Sequence, residues 1–223
     1  LWPQAWCVVG NCFSLQGEHD QAIRCFRRAI QLEASFAYAH TLCAHELVAR
    51  EKFEKAVEMY ERAISLDGQH YNAWWGLGNV HLRLEQHQNA KCYFQRAVEI
   101  NPGNAVLWTS LGMACQSLGE KQRALQLFST AERCRECGLA SFHKGCVLAS
   151  LGRSEEAIEE LRRAQTLAPR EPSVQFQLGR AHAAVGDTRR ALLHFTMAMD
   201  LCGKDSKEHQ IIVAAQEFLS TRV

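Results

Sequence analysis

Small and aromatic residues return along this chain every 34 positions. Gly10, Ala44, Gly78 and Gly112 keep that step, as do Ala22, Ala56, Ala90 and Ala124. Ala29, Ala63, Ala97 and Ala131 repeat it, and so do the aromatics Phe26, Tyr60, Phe94 and Phe128. After the fourth unit the register slips by one residue. Gly145, Ala157, Leu161 and Ala164 then continue it, followed by Gly179, Ala191, Phe195 and Ala198 at the 34 step. The pattern predicts six units, 3–36, 37–70, 71–104, 105–137, 138–171 and 172–205, each a pair of helices. Pro102 and Pro169 stand at unit ends, where a missing N–H stops the second helix. Beyond the last unit, Ile211, Ile212, Ala215, Phe218 and Leu219 form one stripe at helical spacing, which predicts a capping helix over 206–223.

A period of 34 with this residue pattern is that of the tetratricopeptide repeat. Small residues at the eighth and twentieth positions let the two helices of a unit approach closely, the aromatic at the twenty-fourth fills the space between them, and Ala at the twenty-seventh admits the next unit. No unit buries its own apolar face, so stacking supplies the core. The expected architecture is all-α: a right-handed superhelical solenoid of six helix-turn-helix repeats closed by a C-terminal helix.

In such a stack the first helix of each unit lines the concave surface through positions 2, 5, 9, 12 and 13. Read off directly, the first unit contributes Gln4, Cys7, Asn11 and Ser14, and the second Tyr38, Thr41 and His45. The third contributes Asn72, Trp75, Asn79 and Arg83, and the fourth Thr109 and Met113. Phe142 and Cys146 of the fifth unit and Phe176 and Arg180 of the sixth continue the same positions. Trp74 takes a core position and Trp75 points into the groove. This surface is nearly uncharged, rich in amides, hydroxyls and apolar groups. Amides pair with the backbone of an extended peptide and apolar side chains form its pockets. Glu46 falls at position 10, which usually holds a small residue. A half-buried carboxylate there needs hydrogen bonds, from a neighbour such as His45 or His81, or else a ligand guanidinium.

Charge and composition narrow the function classes. The chain has 223 residues with 25 Lys+Arg and 24 Asp+Glu, a formal net charge of +1, which argues against nucleic-acid binding through a basic surface. The charge concentrates on the second helices, for example 51–62 and 153–163. No stretch is apolar enough to span a membrane. The ten Cys are scattered through helical patterns, and there is no Asn-x-Ser/Thr sequon, so a reducing intracellular compartment is expected. Cys134, Cys137, His143 and Cys146 form a C-x2-C-x5-H-x2-C run, a weaker alternative as a zinc site against reduced structural thiols. No nucleophile-elbow, zincin or phosphate-loop motif occurs, and neither an enzyme activity nor a cofactor is expected. No initiator Met is present, which suggests a piece of a longer chain.

Two tetratricopeptide groups invite comparison. Chaperone-binding members clamp two carboxylates with a Lys at position 5 of the first unit; here that residue is Cys7, and only Asn11 matches. The stretches AWCVVGNCFSLQGEHDQAI (5–23), FAYAHTLCAHE (36–46) and HYNAWWGLGN (70–79) closely resemble the C-terminal repeat array of the cell division cycle protein 27 family, as does ALLHFTMAMDL (191–201) the family's last repeat. Ala44 departs from the Gly expected in the second unit. The resemblance implies a non-catalytic scaffold subunit of the anaphase-promoting complex, a mitotic ubiquitin ligase, in nucleus and cytoplasm. It implies capture of the C-terminal Ile-Arg tails of coactivators and of the substrate-receptor subunit, with Asn11 the first contact to test. It implies further contacts with other subunits of the complex, none with nucleic acid or membrane, and homodimerisation through an N-terminal array absent here. The alternative is the peptide-binding region of another assembly, a co-chaperone or a glycosyltransferase substrate-recognition array, although the latter carries a longer Asn ladder than Asn11 and Asn79.

Overall fold

The computed structural model describes residues 2–202 together with Ile212 and Val213. Among the described residues the regular structure is helical throughout: α1 (Pro3–Leu15), α2 (His19–Leu32), α3 (Ala37–Ala49), α4 (Phe53–Leu66), α5 (Tyr71–Arg83) and α6 (His87–Ile100), then α7 (Ala105–Ser117), α8 (Lys121–Cys134), α9 (Gly138–Ser150), α10 (Ser154–Leu167), α11 (Pro172–Ala184) and α12 (Thr188–Leu201). The chain divides into two compact units, Leu1–Gly103 and Asn104–Val223, each with three helical hairpins.

Close approach inside a hairpin depends on the missing side chain at the eighth position. A Cβ on Gly10 would overlap the Phe26 ring, and one on Gly78 would overlap Phe94. In the second unit Gly112 faces Phe128, Gly179 faces Phe195, and Gly145 faces Leu161. Each of these aromatic rings is at most 1% exposed. Full burial of a side chain of that size contributes about 2–3 kcal/mol.

Each odd-numbered helix ends in the same double-bonded turn. After α1, the Gly17 N–H donates to the Ser14 carbonyl and the Glu18 N–H to that of Phe13. After α3, Glu51 donates to Val48 and Lys52 to Leu47. This motif places one residue in the left-handed region. Four turns use glycine there, but Glu51 (φ 55°) and Glu85 (φ 58°) do not. The one-residue slip lies between α8 and α9, where three residues connect the helices and other second-to-first connections have four.

In the first unit Cys7, Ile23, Phe26, Cys43, Leu47, Tyr60 and Leu77 share one core. In the second unit one layer is ionic. Lys144 of α9, at a position where Cys43, Leu77, Leu111 and Leu178 are buried, pairs with Glu132 of α8 at 2.8 Å and Glu160 of α10 at 3.0 Å. The Ser141 hydroxyl donates to the other oxygen of Glu132. The capping helix expected over 206–223 lies outside the described residues except for Ile212 and Val213. Ile212 is buried in a cluster with Ala191, Phe195 and Ala198.

Candidate peptide-binding site

The first unit carries most of the candidate residues on α1, α3 and α5. Asn11, His45 and Asn79 occupy one register on these three helices, and all are half-buried. Trp75 is also half-buried, its ring 6.1 Å from that of His45. Trp74 turns the other way: its ring lies 6.2 Å from Tyr93, and its Nε1–H donates to the Gly68 carbonyl at 3.0 Å. Asn72 is half-buried, whereas Gln4, Tyr38 and Arg83 are exposed, with the Tyr38 ring edge-on to His70.

His45 is set by a residue outside the predicted list. The Tyr60 hydroxyl lies 2.7 Å from His45 Nδ1. Burial, against the opposing pull of Glu46, lowers the pKa of His45, and burial raises that of the Tyr60 phenol. The imidazole is therefore neutral at neutral pH and accepts the phenolic proton at Nδ1, which leaves an Nε2–H donor. Arg83 lies close enough to Tyr60 to act on its titration and has no acidic partner among the described residues. Thus an imidazole donor, two amides, an indole face and an unpaired guanidinium occur on one unit.

Glu46 departs from both neighbours expected for it. The Ser14 hydroxyl donates to its Oε1 at 2.6 Å, and His19 Nδ1 contacts its Oε2 at 2.7 Å. With 6% exposure and both oxygens bonded, this carboxylate ties α3 to α1 and α2 instead of waiting for a guanidinium. His45 and His81 are engaged elsewhere, by Tyr60 and by Gln86. His19, the first residue of α2, was the unrecognised partner.

Three further predicted contact residues are buried. Cys7 is 3% exposed and its thiol is pushed up to about 11 by burial. Thr41 and Thr109 are each 1% exposed, and their hydroxyls donate to the carbonyls of Ala37 and Ala105, one turn earlier. These side chains shape the helix surface without offering a free donor. Met113 of the second unit is half-buried and packs against the cluster of Phe128, Ala131 and Ala140.

The zinc alternative does not assemble. His143 Nδ1 is 3.2 Å from Gln116 Oε1 and its ring stacks on Phe128; Cys134 is exposed at the end of α8. Among the described residues no group of three or more His, Cys, Asp and Glu side chains is placed to hold a metal ion. No described helix is long and apolar enough to cross a membrane.

This combination of helical hairpins and inward-facing polar rows defines a tetratricopeptide-repeat protein, and the models of that repeat match residues 3–36, 43–105, 93–126 and 140–171. Over 203 residues the chain is 43% identical to anaphase-promoting complex subunit 3 of Schizosaccharomyces pombe, covering 91% of this chain and 30% of that protein. Over 202 residues it is 50% identical to cell division cycle protein 27 homolog A of Arabidopsis thaliana, covering 90% of this chain and 28% of that one. The chain belongs to the cell division cycle protein 27 family. It spans less than a third of the length of these two relatives. Among solved structures, the Cut9-Hcn1 hetero-tetramer of the anaphase-promoting complex matches with a TM-score of 0.86 at 16% identity, over 96% of this chain and 42% of that one. That likeness is one of fold.

Proposed function

We propose that this chain is a non-catalytic, tetratricopeptide part of an anaphase-promoting complex subunit, acting in nucleus and cytoplasm. It captures partner tails ending in Ile-Arg on its first three repeats and contacts other subunits of the complex. The observation that carries the reading is the row of Asn11, His45 and Asn79 beside Trp75. Half-buried neutral donors of this kind hold the backbone of an extended peptide without selecting for charge. The unpaired Arg83 supplies a guanidinium for the terminal carboxylate. With Glu46 already bonded, the tail's own guanidinium lies against the Trp75 face, a cation–π contact worth about 0.5–1 kcal/mol at an exposed site.

Fluorescence polarisation of a labelled peptide ending in Ile-Arg tests this reading. Saturable binding is expected, weakened by Asn11→Ala and by Trp75→Ala. Binding that both variants leave unchanged would place the tail elsewhere.

A further inference from the structure

We infer that the first helices of the second unit form a separate site, which takes a peptide segment presenting a carboxylate beside an apolar side chain. A cavity of about 460 Å³ lies between α7, α9 and α11, lined by Gln116, Phe142, His143, Cys146, Gln177 and Arg180 among others. Its chemistry differs from that of the first unit. Along the ninth position the side chains run Asn11, His45, Asn79, Met113, Cys146 and Arg180, so the row becomes cationic only in the last repeat.

Arg180 is the one charged residue among those lining the cavity. It is exposed, it donates to the neutral Gln177 side chain over a long 3.4 Å, and it has no carboxylate partner among the described residues. The other titratable groups of the wall are uncharged at neutral pH. Burial drives His143 down to about 4, and burial, opposed by Arg180, pushes the Cys146 thiol up to about 11. The wall therefore presents a single positive charge with no carboxylate among the described residues to neutralise it.

The remaining lining specifies the rest of the ligand. Phe142 stands edge-on to His143, with ring centroids 5.3 Å apart, and His143 stacks on Phe128 at 5.8 Å. This aromatic floor suits an apolar side chain. The amides of Gln116 and Gln177 flank it and suit a peptide backbone. Phosphate recognition draws on clusters of arginines, whereas one planar guanidinium matches one carboxylate in bidentate geometry. The occupant is thus an acidic-apolar peptide segment.

The test is an NMR titration of this chain with acetyl-Leu-Glu-amide, acetyl-Leu-Gln-amide and acetyl-Leu-phosphoserine-amide, following the Arg180 side-chain N–H and the Phe142 ring. The Glu probe should shift both signals saturably and bind about tenfold more tightly than the Gln probe, the gain of one charge-assisted contact of about 1.4 kcal/mol. Arg180→Gln should erase that difference. Arg190→Gln, whose side chain pairs with Asp187 outside the cavity, should leave it intact and so separates a local from a general charge effect. Equal affinity of the Glu and Gln probes, shifts that map to another surface, or no saturation by any probe would overturn the site. Binding of the phosphoserine probe alone would overturn the carboxylate assignment. The Ile-Arg titration reports on the first unit, so the two results are independent.

Discussion

The Tyr60 hydroxyl lies 2.7 Å from His45 Nδ1, while its ring occupies the space that a side chain at residue 76 would need. The two facts share a cause. In four other repeats a glycine at the eighth position lets an aromatic ring lie against the first helix, but the second repeat has Ala44 there. Tyr60 instead settles over Gly76 of the next repeat, and its hydroxyl finds His45. Gly76→Ala should therefore destabilise the fold by about 1–3 kcal/mol through overpacking. Tyr60→Phe should cost about 1 kcal/mol from the lost hydrogen bond. Urea denaturation of both variants checks the order.

Glu51 and Glu85 occupy left-handed turn positions that four other repeats give to glycine. A residue with a Cβ costs about 1–2 kcal/mol there, and glycine gives back about 0.5–1 kcal/mol through unfolded-chain entropy. Glu51→Gly and Glu85→Gly should each raise stability by about 0.5–1 kcal/mol, readable as a higher urea midpoint with an unchanged slope.

Lys144 sits where four other repeats bury an apolar side chain. Burial disfavours its ammonium, but bonds to Glu132 and Glu160 outweigh that and raise its pKa. Lys144→Met leaves half-buried Glu132 without a cation and buried Glu160 with only the longer Arg163 contact at 3.4 Å, and should cost about 3 kcal/mol. Adding Glu132→Gln and Glu160→Met should recover most of the loss, because the charges that needed Lys144 are then gone. Thermal denaturation of the single and triple variants measures the recovery.

His143 makes the second unit acid-sensitive. Its folded pKa of about 4 is below the ordinary 6.5, because burial disfavours the imidazolium. Above pH 6.5 both folded and unfolded states hold it neutral. As pH falls from 6.5 to 4 only the unfolded state takes up the proton, so stability drops, by about 3 kcal/mol in full. His182 and His194 of the same unit are lowered by burial as well and add to the slope. His143→Gln should flatten part of the decline in melting temperature across that window and leave the rest.

The repeat was legible because its spacing reports sterics. A glycine at position 8 and an aromatic at position 24 meet in space, and the alanines mark helix contacts. Register alone predicts which side chains share a row, and Asn11, His45, Asn79 and Trp75 are all half-buried. It does not predict the partners they take, such as Tyr60 for His45. Thr41 and Thr109 share the fifth position with Trp75, but a hydroxyl satisfies itself on the carbonyl one turn back and withdraws. Glu46 depends on His19, 27 residues away, a pairing that no spacing rule encodes. The exchange of Phe for Tyr at position 60 was a visible signal, because a buried phenol needs a partner. The members of the Cys-His run, the weaker alternative to reduced thiols from the outset, are neighbours in sequence only, since Gln116 and Phe128 engage His143 and Cys134 is exposed at the end of α8.

The central claim is that the first unit reads the free C-terminus of an Ile-Arg tail. Calorimetric titration of this chain with one peptide ending in Ile-Arg, as the free acid and as the C-terminal amide, tests it most directly. The account predicts that the acid binds at least about tenfold more tightly, the weight of one charge-assisted contact, and that Arg83→Gln removes the difference. Equal affinity of acid and amide, unchanged by Arg83→Gln, would contradict it.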